Sequence, residues 1–488
     1  MTTRRAVLMV TAFVGPLALW ASSSCTSFGS GSDDAGVLQD GSPTGDGPSP
    51  EGEVGDGEPP PPDCLSPNEP ARNPEKCLVD SFAAFVSPKG DDENNGTKAN
   101  PYRTIAKALT TTRERIVVCE GDYAGSIDVG RRVAIFGGVS CDWSKAGAKP
   151  RISASKPAYG VQVVRVAEPV LLADLDVVGL NGAAPSESSI ALFVSESANV
   201  TIARSTLTAG DGADAPPKKD GAFAMPPSAP GGGNAVGNVG GPAVTTGTCP
   251  GGGSSGGGKG GDSGFQGDDG VPRPPGGSKG AFAFCSAGGG GNDGEVGTAG
   301  GSRPGGAVTA VLNRDGFAGA RGQDGANGMP GGGGGGGSGS MGAGGGGGAG
   351  GCGGQGGGGG GAGGSSIALL SFGSLVVLQG VELTARTAKS GGAGGSGQTG
   401  QAGGFGGAKT GGACLGGNGM KGGDGGAGGG GAGGIAVGIA WAGGKAPTRD
   451  GATKTTRPTS AAPAGGEGGA GASNKGVDGI HADVYEVK

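Results

Sequence analysis

Ser365-Ser366-Ile367-Ala368-Leu369 repeats, letter for letter, Ser188-Ser189-Ile190-Ala191-Leu192. Each copy opens the same longer pattern. Ile190-x-Leu192 is followed by Val200-x-Ile202 and then Leu207; Ile367-x-Leu369 is followed by Val376-x-Leu378 and then Leu383. Val161-x-Val163, Val170-x-Leu172 and Val177 form a third copy. Short alternating apolar runs place one set of side chains inward and the other outward. Three such runs per repeat, stacked repeat on repeat, describe the coil of a parallel β-helix. A single coil buries too few aliphatics to offset the entropy of ordering it, so coils must share a core with neighbours. Ile116 to Val118, Ile127 to Val129 and Val133 to Ile135 read as an earlier, less regular coil.

The intervals between repeats expose the rest of the organisation. After Val177 the return runs only from Gly179 to Ser189. After Leu207 it runs from Gly210 to Gly364, and after Leu383 from Gly391 to Gly434. Both long stretches leave after the third strand of a coil, so they should project from one edge of the stack. Long loops add little closure entropy. Ile435-Ala436-Val437 reads as a further re-entry and Ile480 to Val487 as a final strand, with no second strand evident over 443–478.

The chain has 488 residues, with 124 glycines and 32 prolines, about a third of the total. Glycine supplies no side chain for a core and loses the most conformational freedom on ordering. Glycine recurs every third residue from Gly391 and again from Gly416, and the period returns over Gly316 to Gly325. A collagen triple helix needs far more proline. A bundle of extended polyglycine helices is one alternative; flexible coil is the reading this composition favours for most of the tract. Ala307 to Leu312 and Ala281 to Phe284 could form strands within it.

The amino terminus reads as an export address. Arg4-Arg5 precede an apolar run, Ala6 to Ala21, and Ser22-Ser23-Ser24-Cys25 follows. The run is shorter than the ~20 residues a membrane-spanning helix needs. Small residues before Cys25 resemble a bacterial lipoprotein cleavage box, which implies acylation of Cys25 and a membrane partner through that lipid. Ser22 stands where leucine is usual. Thr26 to Asp63 holds nine acidic residues and no lysine or arginine, the composition of a solvated tether. The expected segments are therefore 1–25 signal, 26–79 linker, 80–209 cap and coils, 210–364 glycine tract, 365–390 coil, 391–434 glycine tract, and 435–488 partial coil with a low-complexity tail.

Setting Cys25 aside leaves eight cysteines, an even number that suits disulfides in an exported chain. Pairing in sequence order gives Cys64–Cys77, Cys119–Cys141, Cys249–Cys285 and Cys352–Cys414. None has the CxxC spacing of a zinc site.

Phe85-Val86-Ser87-Pro88-Lys89-Gly90-Asp91, Asn95-Gly96-Thr97 and Asn100-Pro101-Tyr102-Arg103-Thr104-Ile105-Ala106-Lys107-Ala108-Leu109 resemble the opening of a bacterial domain-of-unknown-function family in the pectin-lyase-like superfamily. Val118 to Tyr123 and Phe136 to Trp143 resemble its first coils. The resemblance implies a right-handed parallel β-helix on a secreted or surface protein. The superfamily includes polysaccharide lyases and hydrolases, so clustered carboxylates deserve a search. Asp174-x-Asp176 is the one close pair on a coil. It reads as a solvated face, because neighbouring coils offer no matching Asp, Lys or Arg cluster. Asp91-Asp92-Glu93-Asn94 reads as a polar turn rather than a calcium loop. His481, the only histidine, lies in the tail. No catalytic, cofactor or metal residues are expected. The net charge of −6 with no basic stripe argues against a nucleic-acid partner. A structural or adhesive surface protein is the leading expectation; a polysaccharide-binding or polysaccharide-cleaving protein is the alternative, with extracellular polysaccharide or other surface proteins as partners.

Overall fold

The computed structural model describes Cys64 and residues 69–155, 158–273, 276–282, 285, 291–298, 301, 303–469 and 472–488. The expected signal, Cys25 and most of the linker lie outside these residues. Three parallel sheets form the frame. The first stacks Ala84–Val86, Arg115–Cys119, Val133–Val139, Val170–Ala173, Val200–Ala203, Val376–Gln379 and Thr448–Arg449. The second stacks Asp122–Ala124, Arg151–Ser153, Asp176–Val178, Thr206–Thr208, Glu382–Thr384 and Lys454–Thr456. The third stacks Ile127–Val129, Ala158–Val164, Ser189–Ser195, Ser366–Phe372, Ile435–Ala442 and Ile480–Glu486. The chain visits the sheets in the order first, second, third, six times among the described residues. This is the arrangement of a parallel β-helix.

The interior is a column of aliphatics. Val133, Val170, Val200 and Val376 stack in the first sheet, and Ile152, Val177, Leu207 and Leu383 in the second; all are buried. Thr104 caps a short helix, Ile105–Leu109, by accepting from the Lys107 N–H at 3.1 Å, and Ile105 and Ala108 close the first end of that core. No helix among the described residues is long and apolar enough to cross a membrane.

The repeat alignment needs one correction. Val161 pairs with Leu192, not with Ile190, and Leu192 pairs with Leu369. Ala191 and Leu192 both join the interior, while Ile190 and Ile367 turn to the outside of the third sheet. There they pack with Phe193, Leu370, Ile435 and Val437 under a hairpin, Ala310–Asn313 with Gly316–Gly319, contributed by the long glycine tract. The outside of the first sheet is also covered. Leu78, Phe82 and the Cys64–Cys77 disulfide pack there with Phe85, Val117, Phe136 and Trp143. The end of the segment expected as linker is therefore packed against the coils. The last coil is complete, because Thr448–Arg449 and Lys454–Thr456 supply its first- and second-sheet strands. Periodicity missed them because their side chains are polar and mostly exposed.

Sharp corners between sheets rest on left-handed backbone. Arg165, Glu196, Gly373 and Gly443 take positive φ at one corner, and Asp174, Arg204 and Gly380 at the next. Non-glycine residues rarely adopt this conformation. Ser197, Ser205 and Ser374 help hold the corners: their hydroxyls accept from the N–H groups of Val166, Leu175 and Ser197 at 3.0–3.2 Å.

The glycine tracts overturn the coil expectation. Gly322, Gly325, Gly328, Gly331, Gly334 and Gly337 donate to the carbonyls of Gly360, Gly357, Gly354, Gly351, Gly348 and Gly345, all at 2.8–2.9 Å. The latter segment in turn donates from Gly345, Gly348, Gly351, Gly354, Gly357 and Gly360 to Cys414, Gly417, Met420, Gly423, Gly426 and Gly429. Successive residues serve different neighbours. Gly345, Gly346 and Gly347 donate to Cys414, Gly233 and Gly258, and Gly348 returns to the first neighbour. That is a helix of three residues per turn whose backbone bonds run between segments, as in the polyglycine alternative, with no bond inside a segment to sustain it. The tracts all leave between second- and third-sheet strands, so the bundle grows from one corner as the loop positions predicted.

Side chains would destroy this packing. A Cβ on Gly347 would lie 1.9 Å from the carbonyl oxygen of Gly334, and one on Gly345 would lie 1.9 Å from that of Gly407. The unbroken run Gly331 to Gly337 is buried throughout, whereas period-three segments carry their other residues outward. Dense glycine thus marks the middle of the bundle and spaced glycine its rim. The disulfides also depart from sequence order. Cys64–Cys77 and Cys119–Cys141 pair as expected, but Cys249 joins Cys352 and Cys285 joins Cys414. The bundle sets Cys249 beside the return segment at Cys352 and Cys285 beside the hairpin turn before Cys414. Neighbours in space there are distant in sequence.

Candidate functional site

Two covered sheets leave the outside of the second as the candidate face of the β-helix. Its register aligns Asp122, Arg151, Asp176, Thr206, Glu382 and Lys454 in one column. Arg151 reaches Asp176 at 3.7 Å, and Lys149 Nζ donates to Thr206 Oγ1 at 3.1 Å. At the adjoining corner Arg204 clamps Asp174 through its Nε at 2.8 Å and its terminal nitrogen. The Asp174/Asp176 pair therefore has the charged neighbours that the sequence reading expected it to lack. Arg151 escaped notice because the 140–150 loop breaks the repeat interval before it, and Arg204 because it sits at a corner. Burial pushes the Asp176 carboxyl up, opposed by Arg151 and Lys149. The strip alternates in sign, so its charges largely neutralise one another across coils.

Other sequence candidates are used locally. Asp92 accepts from the N–H groups of Arg103 and Thr104 at 3.0 and 2.8 Å and from the Thr104 hydroxyl at 2.9 Å. Asp91 accepts from the Glu93 N–H at 3.1 Å, and Asn94 donates to the Pro101 carbonyl at 2.9 Å. The segment is a tied polar turn. No group of three His, Cys, Asp or Glu side chains among the described residues is placed to hold a metal ion. His481 sits on the last strand, its Nδ1 3.1 Å from the Ser460 carbonyl, beside a cleft lined by Asp214, Thr387, Lys389 and Ser460. Cys25 lies outside the described residues.

The bundle contributes features that the sequence reading did not extract. Lys259–Asp262, Arg321–Asp324, Lys421–Asp424 and Lys475–Asp478 are ion pairs at i,i+3, the spacing that aligns side chains on a three-residue helix. The carboxylates also satisfy the rim of the bundle: Asp262, Asp324, Asp424 and Asp478 accept from the N–H groups of Gly240, Gly359, Gly400 and Gly465. The recurring Lys/Arg-Gly-x-Asp was a legible signal for these edges. Glutamines do the same inside. Gln398 bonds both backbone groups of Phe223 at 2.7 and 2.8 Å, and Gln401 accepts from Cys352 and donates to Pro226. The bundle also holds large apolar side chains in solvent, Phe405 (82% exposed) and Phe265 (68%) among them.

A family model described as "Protein of unknown function (DUF1565)" matches residues 88–135. That family is a pectin-lyase-like β-helix family, in keeping with the parallel sheets. The match spans the cap helix and the first coil. A solved rhamnogalacturonan lyase is similar at 16% identity over 25% of this chain, with a TM-score of 0.22. The chain covers 35% of that lyase's length. No curated protein matches.

Proposed function

We propose that this chain is an exported lipoprotein, held in the cell envelope through Cys25, with a non-enzymatic structural or adhesive role. Its β-helix serves as a rigid stalk and its glycine bundle as the interacting part. The observation that carries the reading is the set of large apolar side chains the bundle keeps in solvent. A bundle with a backbone interior has no side-chain core for them to fill, and apolar patches on exported proteins commonly mark interaction surfaces. The basic start, apolar run and small residues before Cys25 support export and anchoring. Four disulfides support an oxidising compartment.

The alternative, binding or cleavage of an acidic polysaccharide, is favoured by one observation. The uncovered second sheet carries Arg151 and Lys149 beside Asp176, and Lys454 opposite Glu382 further along the same column. The experiment is retention of the purified full chain on whole cells and on a glycan array, with lyase and hydrolase assays alongside. Saturable retention on cells without release of new sugar ends is expected. Turnover of a polysaccharide would overturn the non-enzymatic reading.

A further inference from the structure

Four tight turns meet at one end of the bundle, at 236–239, 262–265, 339–342 and 408–412. Backbone bonds join them. Ser263 N–H donates to the Asn238 carbonyl at 2.9 Å, Gly264 N–H to that of Gly339 at 2.7 Å, and Gly412 N–H to that of Met341 at 2.7 Å. The Thr410 hydroxyl donates to the Gly237 carbonyl at 2.8 Å. The Cys285–Cys414 disulfide ties a further segment beside the last turn. On these turns Val236 is 75% exposed, Val239 61% and Met341 60%, together with Phe265. The turns hold their shape through backbone and disulfide, so these side chains are not needed to form them.

We propose that this end of the bundle inserts its apolar side chains into the surface of an anionic lipid bilayer. The inference rests on the adhesive reading above and names its partner. The composition points to lipid rather than protein. Tryptophan, tyrosine and arginine dominate protein–protein hot spots, and none occurs on the four turns. Phenylalanine, methionine and valine suit the hydrocarbon boundary, where an adjacent cation meets the headgroups. Lys409 is exposed and forms no ion pair among the described residues, while Asp262 is neutralised by Lys259 at 3.2 Å. The charge left on the turns is therefore positive, although the whole chain is acidic.

The test uses the full chain carrying Cys25→Ser, so that no acyl chain contributes. It is floated with vesicles of phosphatidylethanolamine and phosphatidylglycerol, and separately with phosphatidylcholine vesicles. Phe265→Ser and Met341→Ser should each lower the bound fraction about ten-fold relative to the parent. Met329→Ser, at an equally exposed position along the bundle (60%), should leave it unchanged. Binding should be stronger to the phosphatidylglycerol mixture. Intact disulfides and an unchanged circular dichroism spectrum verify folding. Equal flotation of the parent and both turn variants would overturn the proposal, as would an equal loss with Met329→Ser. Retention on cells without any turn-dependent vesicle binding would remove the lipid assignment and leave the adhesive reading standing. Loss of both would remove both.

Discussion

The glycine bundle grows from one corner of the coils, yet the two regions are held together in opposite ways. In the coils the backbone bonds run along the stack, and aliphatic side chains such as Val200, Ile202 and Leu207 fill the space between sheets. In the bundle the backbone bonds run between segments in several directions, and at most of the buried glycines the space between segments is too narrow for a side chain. The coils are stabilised mainly by burial of apolar area. The bundle has little such area to bury, and rests on hydrogen bonds, close packing and disulfides. A residue's tolerance to change therefore differs between the two regions. The coils suffer from a lost methylene, the bundle from a gained one.

The sharpest way to break the comparison is a pair of substitutions. Gly347→Ala places a methyl 1.9 Å from a carbonyl and should open the bundle locally, a larger effect than the ~1–3 kcal/mol of ordinary overpacking. Amide exchange should rise across 322–363 while the coils stay protected. Next, removing the Cys249–Cys352 disulfide by double serine substitution opens a loop of sequence separation 103. A loss of about 2–5 kcal/mol is expected, measured as earlier unfolding in denaturant. Leu192→Ala should cost about 2–5 kcal/mol in the coils through cavity formation, with exchange rising there first. If Leu192→Ala loosened the bundle before the coils, the two regions would not be stabilised separately.

The smallest expected effect is on pH. Donated backbone N–H groups hold the carboxyls of Asp262, Asp450 and Asp478 below the ordinary range, through Gly240, Gly380 and Gly465 respectively. Lys421, with Gly400, does the same for Asp424. A folded-state value below the unfolded one means a contribution present above the ordinary carboxylate range, near pH 4, and lost as pH falls through the depressed values. The denaturation midpoint should therefore fall on acidification below about pH 4, with exchange rising first at Gly240 and Gly400. A midpoint unchanged between neutral pH and pH 3 would contradict this account of the rim.

Sequence alone determined the strands of the repeated coils, the corner from which the insertions leave, and the two disulfides that close short loops. Those features follow from local alternation and short-range geometry, which a linear pattern records. It ran Ile116 to Val118, Ile127 to Val129 and Val133 to Ile135 into one coil, whereas Asp122–Ala124 completes the first and Val133 opens the next. It misplaced Ile190 and Ile367 because alternation breaks at Ala191-Leu192, and it missed the polar last coil and the Arg151 and Arg204 contacts to the Asp174/Asp176 pair. Only the tertiary structure decided that the glycine tracts order and that Cys249 meets Cys352. Glycine carries no side-chain preference, so whether it coils or packs depends on neighbours far along the chain that bring their carbonyls within bonding distance.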